Sequence, residues 1–107
     1  IPKHLQGKTF VCYDFETTGL HYVNGDKIIE IGAVKIENGK ITEKFMSFID
    51  PEKHIPEDAS AISGIVDSDV QGAPTADKVL QDFYKFTRGA IIIGYNKGED
   101  YRLYLCY

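Results

Sequence analysis

Asn38-Gly39 pins down more of this chain than any other pair of residues. It lies between two β-prone stretches, Lys27 to Glu37 and Lys40 to Ile49. A type I′ turn needs positive φ at both central residues, and Asn-Gly meets that demand at the lowest steric cost, so the sequence predicts a hairpin. A third strand is expected at Thr9-Phe10-Val11-Cys12-Tyr13, a β-branched and aromatic run with charge at its exit, Asp14. Ala90 to Ile93, bounded by Gly89 and Gly94, reads as an apolar strand of the kind found inside a parallel or mixed sheet.

Helix signals fill the rest. Pro56 to Gly64 opens with Pro and two acids and closes with Gly, the pattern of a two-turn helix, and a loop is expected to follow through Gly72. After Pro74, Thr75 can cap a helix whose apolar stripe is Ala76, Val79, Leu80, Phe83 and Phe86 or Thr87, ending before Gly89. A helix-compatible segment runs from about Lys97 to the end. The order β, β, β, α, α, β, α has no repeat, low-complexity tract or linker, and predicts one α/β domain over residues 1–107.

Size and charge restrict the function. With 107 residues, 43% of them hydrophobic, a fold removes roughly 65% of the unfolded chain's surface from water, enough for one core. The longest apolar run of strand type, Ala90 to Ile93, is too short to span a bilayer, so no membrane partner is expected. Ile1-Pro2-Lys3-His4-Leu5 has neither an initiator Met nor the apolar stretch of a secretory signal, which reads as a segment or processed form of something longer. Cys12 and Cys106 read as reduced thiols of a reducing compartment, the cytoplasm. Twelve Lys and Arg are scattered among 16 Asp and Glu, for a net charge of −4, so any nucleic-acid contact must be local or metal-mediated.

The chemical signal is Asp14-Phe15-Glu16. Residues two apart on a strand share a face, with Cα atoms about 6.6 Å apart, so the two carboxylates look out together while Phe15 faces the other way. Two such anions can hold a hard divalent cation, which relieves their repulsion. Thr17-Thr18-Gly19-Leu20 then supplies hydroxyl and backbone donors, a glycine that lets a ligand approach the main chain, and an apolar side chain beside the acids. A phosphate-linked sugar and base fits that set.

These residues carry a resemblance. Asp14-Phe15-Glu16-Thr17-Thr18-Gly19-Leu20, followed by Ile28-Ile29-Glu30-Ile31-Gly32-Ala33-Val34, resembles the opening of DEDD-type (DnaQ-like) 3′-5′ exonucleases. Ile55 to Ile65 is similar to the family's connecting helix and turn, with Ser63 where the family has His or Thr, and Gly94-Tyr95-Asn96 with Asp100 resembles its second motif. The resemblance spans about residues 8 to 103. It is strongest to the proofreading exonucleases of DNA polymerase III, either the epsilon subunit or the domain inserted in PolC-type alpha subunits.

The resemblance implies a ribonuclease H-like fold, a mixed central sheet with flanking helices. It implies two divalent ions, Mg²⁺ or Mn²⁺, and a DNA 3′ end, single-stranded or frayed, as substrate. Asp14 would bridge both ions, Glu16 would hold the one carrying the attacking water, and Asp100 the other. Thr17, Thr18, Gly19, Leu20 and Asn96 would bind the terminal nucleotide. The other polymerase III subunits, or the rest of a longer polymerase chain, would be partners. The family's third motif, a His with the fourth Asp about five residues later, has no counterpart here, since His4, His21 and His54 all precede the second motif. The fold is therefore expected to be truncated at its C-terminus. Glu99 stands where the family usually has Phe, and Lys97 where a small or apolar residue is usual. Two other readings stay open, an RNA-trimming exonuclease of the same fold and a non-catalytic interaction module.

Overall fold

The structure, a computed structural model, describes residues 3, 6–19, 25, 27–94 and 102–105, the last four as backbone. In chain order its elements are β1 (Thr9–Thr17), β2 (Ile28–Glu37), β3 (Lys40–Phe48), α1 (Glu57–Ser63), α2 (Asp67–Val70), α3 (Ala76–Thr87), β4 (Ile91–Gly94) and β5 (Arg102–Leu105). The strands form one five-stranded sheet in the order β3-β2-β1-β4-β5. β4 pairs with β1 in parallel, Phe10 opposite Ile91 and Tyr13 opposite Gly94, whereas β5 runs antiparallel to β4. The sheet is thus mixed, as expected.

Asn38 and Gly39 take φ of 52° and 77°, so both central positions of the β2–β3 turn are left-handed and the hairpin forms where the dipeptide predicts it. Along β2, Ile29, Ile31 and Ala33 are buried while Ile28, Glu30 and Gly32 between them are only half-buried, which is the period-two pattern of a sheet with one well-covered face.

Two compact units are distinguishable. In the first (Ile1–Asp14, Gly32–Phe45, Phe83–Tyr107), Val11, Ala33 and Ala90 form the buried core, with Tyr13, Phe45, Phe83 and Phe86 packed against it. Phe83 meets Tyr13 edge-on at 5.5 Å between ring centroids and Phe45 at 5.8 Å, and Phe45 meets Phe86 at 5.5 Å. The Lys35 ammonium lies 4.6 Å from the centroid of the Phe86 ring and 2.9 Å from the Glu43 carboxylate.

The second unit (Phe15–Ile31, Met46–Asp82) is built on Ile29, Ile55, Ala59, Ile65 and Val70. α1 starts after Pro56 and stops at Gly64, whose φ of 77° is left-handed and whose N–H donates to the Ser60 carbonyl at 2.8 Å. Both ends match the sequence signals.

Three expectations need correction. β1 does not end at Asp14 but continues through Thr17, so the acids lie within the strand. The loop expected through Gly72 contains a turn of helix, α2, which Asp69 secures by accepting the Val66 N–H at 2.9 Å. Residues 102–105, expected to be helical, form β5, because a Leu- and Tyr-bearing segment gains main-chain hydrogen bonds along the apolar strand β4; the rest of that expected helix lies outside the described residues. On α3 the predicted stripe holds for Val79, 2% exposed, and Thr87, 1% exposed, but Leu80 on it is 39% exposed.

Candidate active site

β1 carries the acids. Asp14 is exposed, Glu16 is half-buried, and the strand's alternation sets both carboxylates on one face and Tyr13 and Phe15 on the other. The extension of β1 to Thr17 makes this alternation hold across the whole Asp14-Phe15-Glu16 motif. Asp100, Leu20 and Asn96 lie outside the described residues. Among the described residues no three His, Cys, Asp or Glu side chains gather into a metal-binding group, so Asp14 and Glu16 stand as a pair.

The end of β1 is held by reciprocal hydrogen bonds. Thr18 N–H donates to the Lys27 carbonyl at 2.8 Å, and Lys27 N–H donates back to the Thr18 hydroxyl oxygen at 2.8 Å. Thr18 is 5% exposed, so its hydroxyl stands inside the protein as a brace between the end of β1 and the start of β2. Thr17 donates its hydroxyl to the Gly19 carbonyl at 2.7 Å, which fixes the turn that leaves the strand. Both hydroxyls, which the family resemblance places at the terminal nucleotide, have protein partners here, and Gly19 is half-buried at the turn.

Other polar contacts went unforeseen. Lys53, after β3, donates to the Gly25 carbonyl at 2.6 Å. Asp67 accepts the Ile55 N–H at 2.8 Å and pairs with His54 Nδ1, and these hydrogen bonds hold its carboxyl below the usual carboxylate range. His54, Ile55, Glu57, Ser60, Ala61, Val66, Asp67 and Ser68 line a shallow hollow of about 570 Å³. The sequence signal was Asp67 at the first position of α2, whose oxygens reach back past the intervening turn. Cys12 is a free thiol on β1, half-buried, and desolvation pushes its pKa up, which fits a small core residue.

The mixed sheet thus presents Asp14 and Glu16 from one strand, with a braced turn beside them. The RNase_T exonuclease family profile matches residues 11–104, and the chain belongs to this exonuclease family. Its sequence is similar to that of DNA polymerase III PolC-type from Caldanaerobacter subterraneus subsp. tengcongensis, 44% identical over 96 residues, covering 90% of this chain and 7% of that one. The PolC-type polymerase of Thermotoga maritima is 42% identical over 94 residues, covering 88% and 7%. The chain thus spans about 7% of the length of these relatives. Among solved structures, product-bound exonuclease I superposes with a TM-score of 0.73 at 20% identity, covering 85% of this chain and 22% of that one. E. coli exonuclease I in complex with a dT13 oligonucleotide gives 0.70 at 20% identity, covering 83% and 20%. The shared architecture is the ribonuclease H-like fold, and the resemblance to DnaQ-like exonucleases holds. Among the described residues no helix is long and apolar enough to cross a membrane.

Proposed function

We propose that this chain is the 3′-5′ exonuclease domain of a PolC-type DNA polymerase III, a single if partial domain over residues 1–107, removing nucleotides from single-stranded or frayed DNA 3′ ends. The reading rests on its sequence agreement with PolC-type polymerases along most of the chain, in a fold that sets Asp14 and Glu16 on one face of β1. Its partner is then the remainder of a longer polymerase chain, and its place the bacterial cytoplasm.

The donor set suits a divalent ion. Asp14 and Glu16 are hard oxygen donors at an accessible strand face, the ligand type that Mg²⁺ and Mn²⁺ take. They are the residues that would hold the ions, joined by Asp100 on the strength of the family resemblance. Bound there, two such ions would supply a Lewis acid at the scissile phosphate and a water of lowered pKa.

The protein's own part is placement. β1 is paired to β4 through Tyr13, which fixes the backbone that carries Asp14. The Thr18–Lys27 pair and the Thr17–Gly19 bond hold the chain leaving the strand in one conformation, so that main-chain groups at Gly19 can meet a sugar-phosphate without reordering. With a net charge of −4 and 12 Lys and Arg scattered along the sequence, contact with DNA is read as local, at the 3′ end.

The test is digestion of 5′-labelled single-stranded DNA and of RNA of the same sequence with Mn²⁺, with Asp14→Ala alongside. A ladder shortening from the 3′ end on DNA, absent in the variant, is the expected result. Faster digestion of RNA would replace the DNA reading with RNA trimming, and folded protein that digests neither would sink the catalytic reading.

A further inference from the structure

We propose that Tyr13 and Gly94 form a register lock that positions Asp14, Gly94 being held to hydrogen as its side chain because the Tyr13 ring fills that space. This rests on the reading of Asp14 as a metal ligand.

Gly94 has no backbone reason to be glycine. Among the described residues the glycines at positive φ are Gly7, Gly25, Gly39, Gly64, Gly72 and Gly89, and Gly94 is not among them. Its constraint is space: a β-carbon at position 94 would lie 2.5 Å from both Cζ and the hydroxyl oxygen of Tyr13 and 2.9 Å from Cε1. Carbon atoms in contact sit about 3.5 Å or more apart, so the ring or the strand would have to move by about 1 Å. Gly32 on β2 makes the contrast, since it too is a strand glycine without positive φ, and a β-carbon there meets nothing within 4 Å.

The clashing atoms belong to the far end of a side chain, which in an exposed Tyr could swing away. Here the half-buried ring is packed against the core cluster and meets Phe83 edge-on at 5.5 Å. Tyr13 also faces Gly94 directly in the parallel ladder, so ring and glycine share one side of the sheet. Asp14 is the next residue, and its carboxylate projects from the opposite side. Moving the ring therefore moves the backbone that aims Asp14. Tyr13 and Gly94 touch no substrate; they are positioning residues.

The experiment is a calorimetric Mn²⁺ titration of the 107-residue chain, with folding followed by circular dichroism, on wild type, Asp14→Ala, Gly94→Ala, Gly32→Ala and the double variant Tyr13→Leu/Gly94→Ala. Loss of support behind a metal ligand typically weakens binding about 10- to 100-fold, and Gly94→Ala is expected to fall in that range. Gly32→Ala should bind as wild type does, and the double variant, in which a smaller side chain makes room for the added methyl, should recover most of the loss. Folded Gly94→Ala that binds Mn²⁺ as tightly as wild type would overturn the lock, as would a double variant no better than the single. If Gly94→Ala does not fold, the double variant decides: folded and binding supports the lock, and unfolded or weak binding overturns it. Equal Mn²⁺ binding by wild type and Asp14→Ala would instead remove the metal-site reading, and the lock's functional role with it.

Discussion

The Asp67 carboxylate reaches back across twelve residues to accept the Ile55 N–H at 2.8 Å while its other oxygen pairs with His54. Ile55 is buried, so this bond satisfies the main chain where it enters the second unit's core. The hydrogen bonds hold the Asp67 carboxyl below its ordinary value of 3.8. A carboxyl depressed in the folded state stabilises the protein above its unfolded pKa, and that contribution is lost as pH falls through the folded pKa. Asp67→Asn keeps an acceptor for Ile55 and removes the titration. Melting temperatures from about pH 5 down to pH 2 should show a flatter acid limb in the variant; identical limbs would show that Asp67 contributes nothing to the pH dependence.

Burial separates two isoleucines of the second unit. Ile29 is fully buried in its core, whereas Ile62 on α1 is 70% exposed. Urea denaturation should give a loss of about 2–5 kcal/mol for Ile29→Ala and a change within about 0.5 kcal/mol for Ile62→Ala. A large loss at Ile62 would mean that its side chain is covered in solution.

At the acid pair, function and stability should part. Asp14 is exposed and Glu16 half-buried, so neither side chain is central to packing. Asp14→Ala and Glu16→Ala are each expected to cut metal-dependent DNA digestion by at least about 100-fold, the upper range for disturbing even a ligand's supporting residue, while the melting temperature stays near that of wild type. Retained digestion in either variant would take that residue out of the site.

The strand glycines give a stability contrast independent of any metal. Gly94→Ala forces an overpacked contact with Tyr13 and should cost about 1–3 kcal/mol. Gly32→Ala enters open space and should be neutral or stabilising by up to about 1 kcal/mol, because it restricts the unfolded chain. Denaturant midpoints of the two variants check both signs at once.

Local chemistry made some of this structure readable beforehand. Asn38-Gly39 dictated its hairpin, and Pro56 and Gly64 delimited α1, because each acts through its own backbone preferences. The acids were found from their spacing and from the residues after them. α2 has no signal of its own because four residues carry no helical period, and Asp67 and Asp69 hold it in place by reaching backbone N–H groups. β5 is not legible locally because a short run of Leu and Tyr suits either period, and pairing to β4 decides between them. The bracing role of Thr18 depends on Lys27, nine residues away, which no local pattern announces.

That brace has an evolutionary corollary. Because Thr18 and Lys27 are stitched together by two hydrogen bonds, the chain between them is closed into a ring whose neck lies just beyond the ends of β1 and β2. Lengthening such a ring is cheap, about 0.6 kcal/mol for each doubling, so insertions or sequence drift in that stretch need not disturb the strand that bears the acids. On the proposed function, the segment between Thr18 and Lys27 is then free to diverge in sequence while the strand that bears Asp14 and Glu16 keeps its pairing.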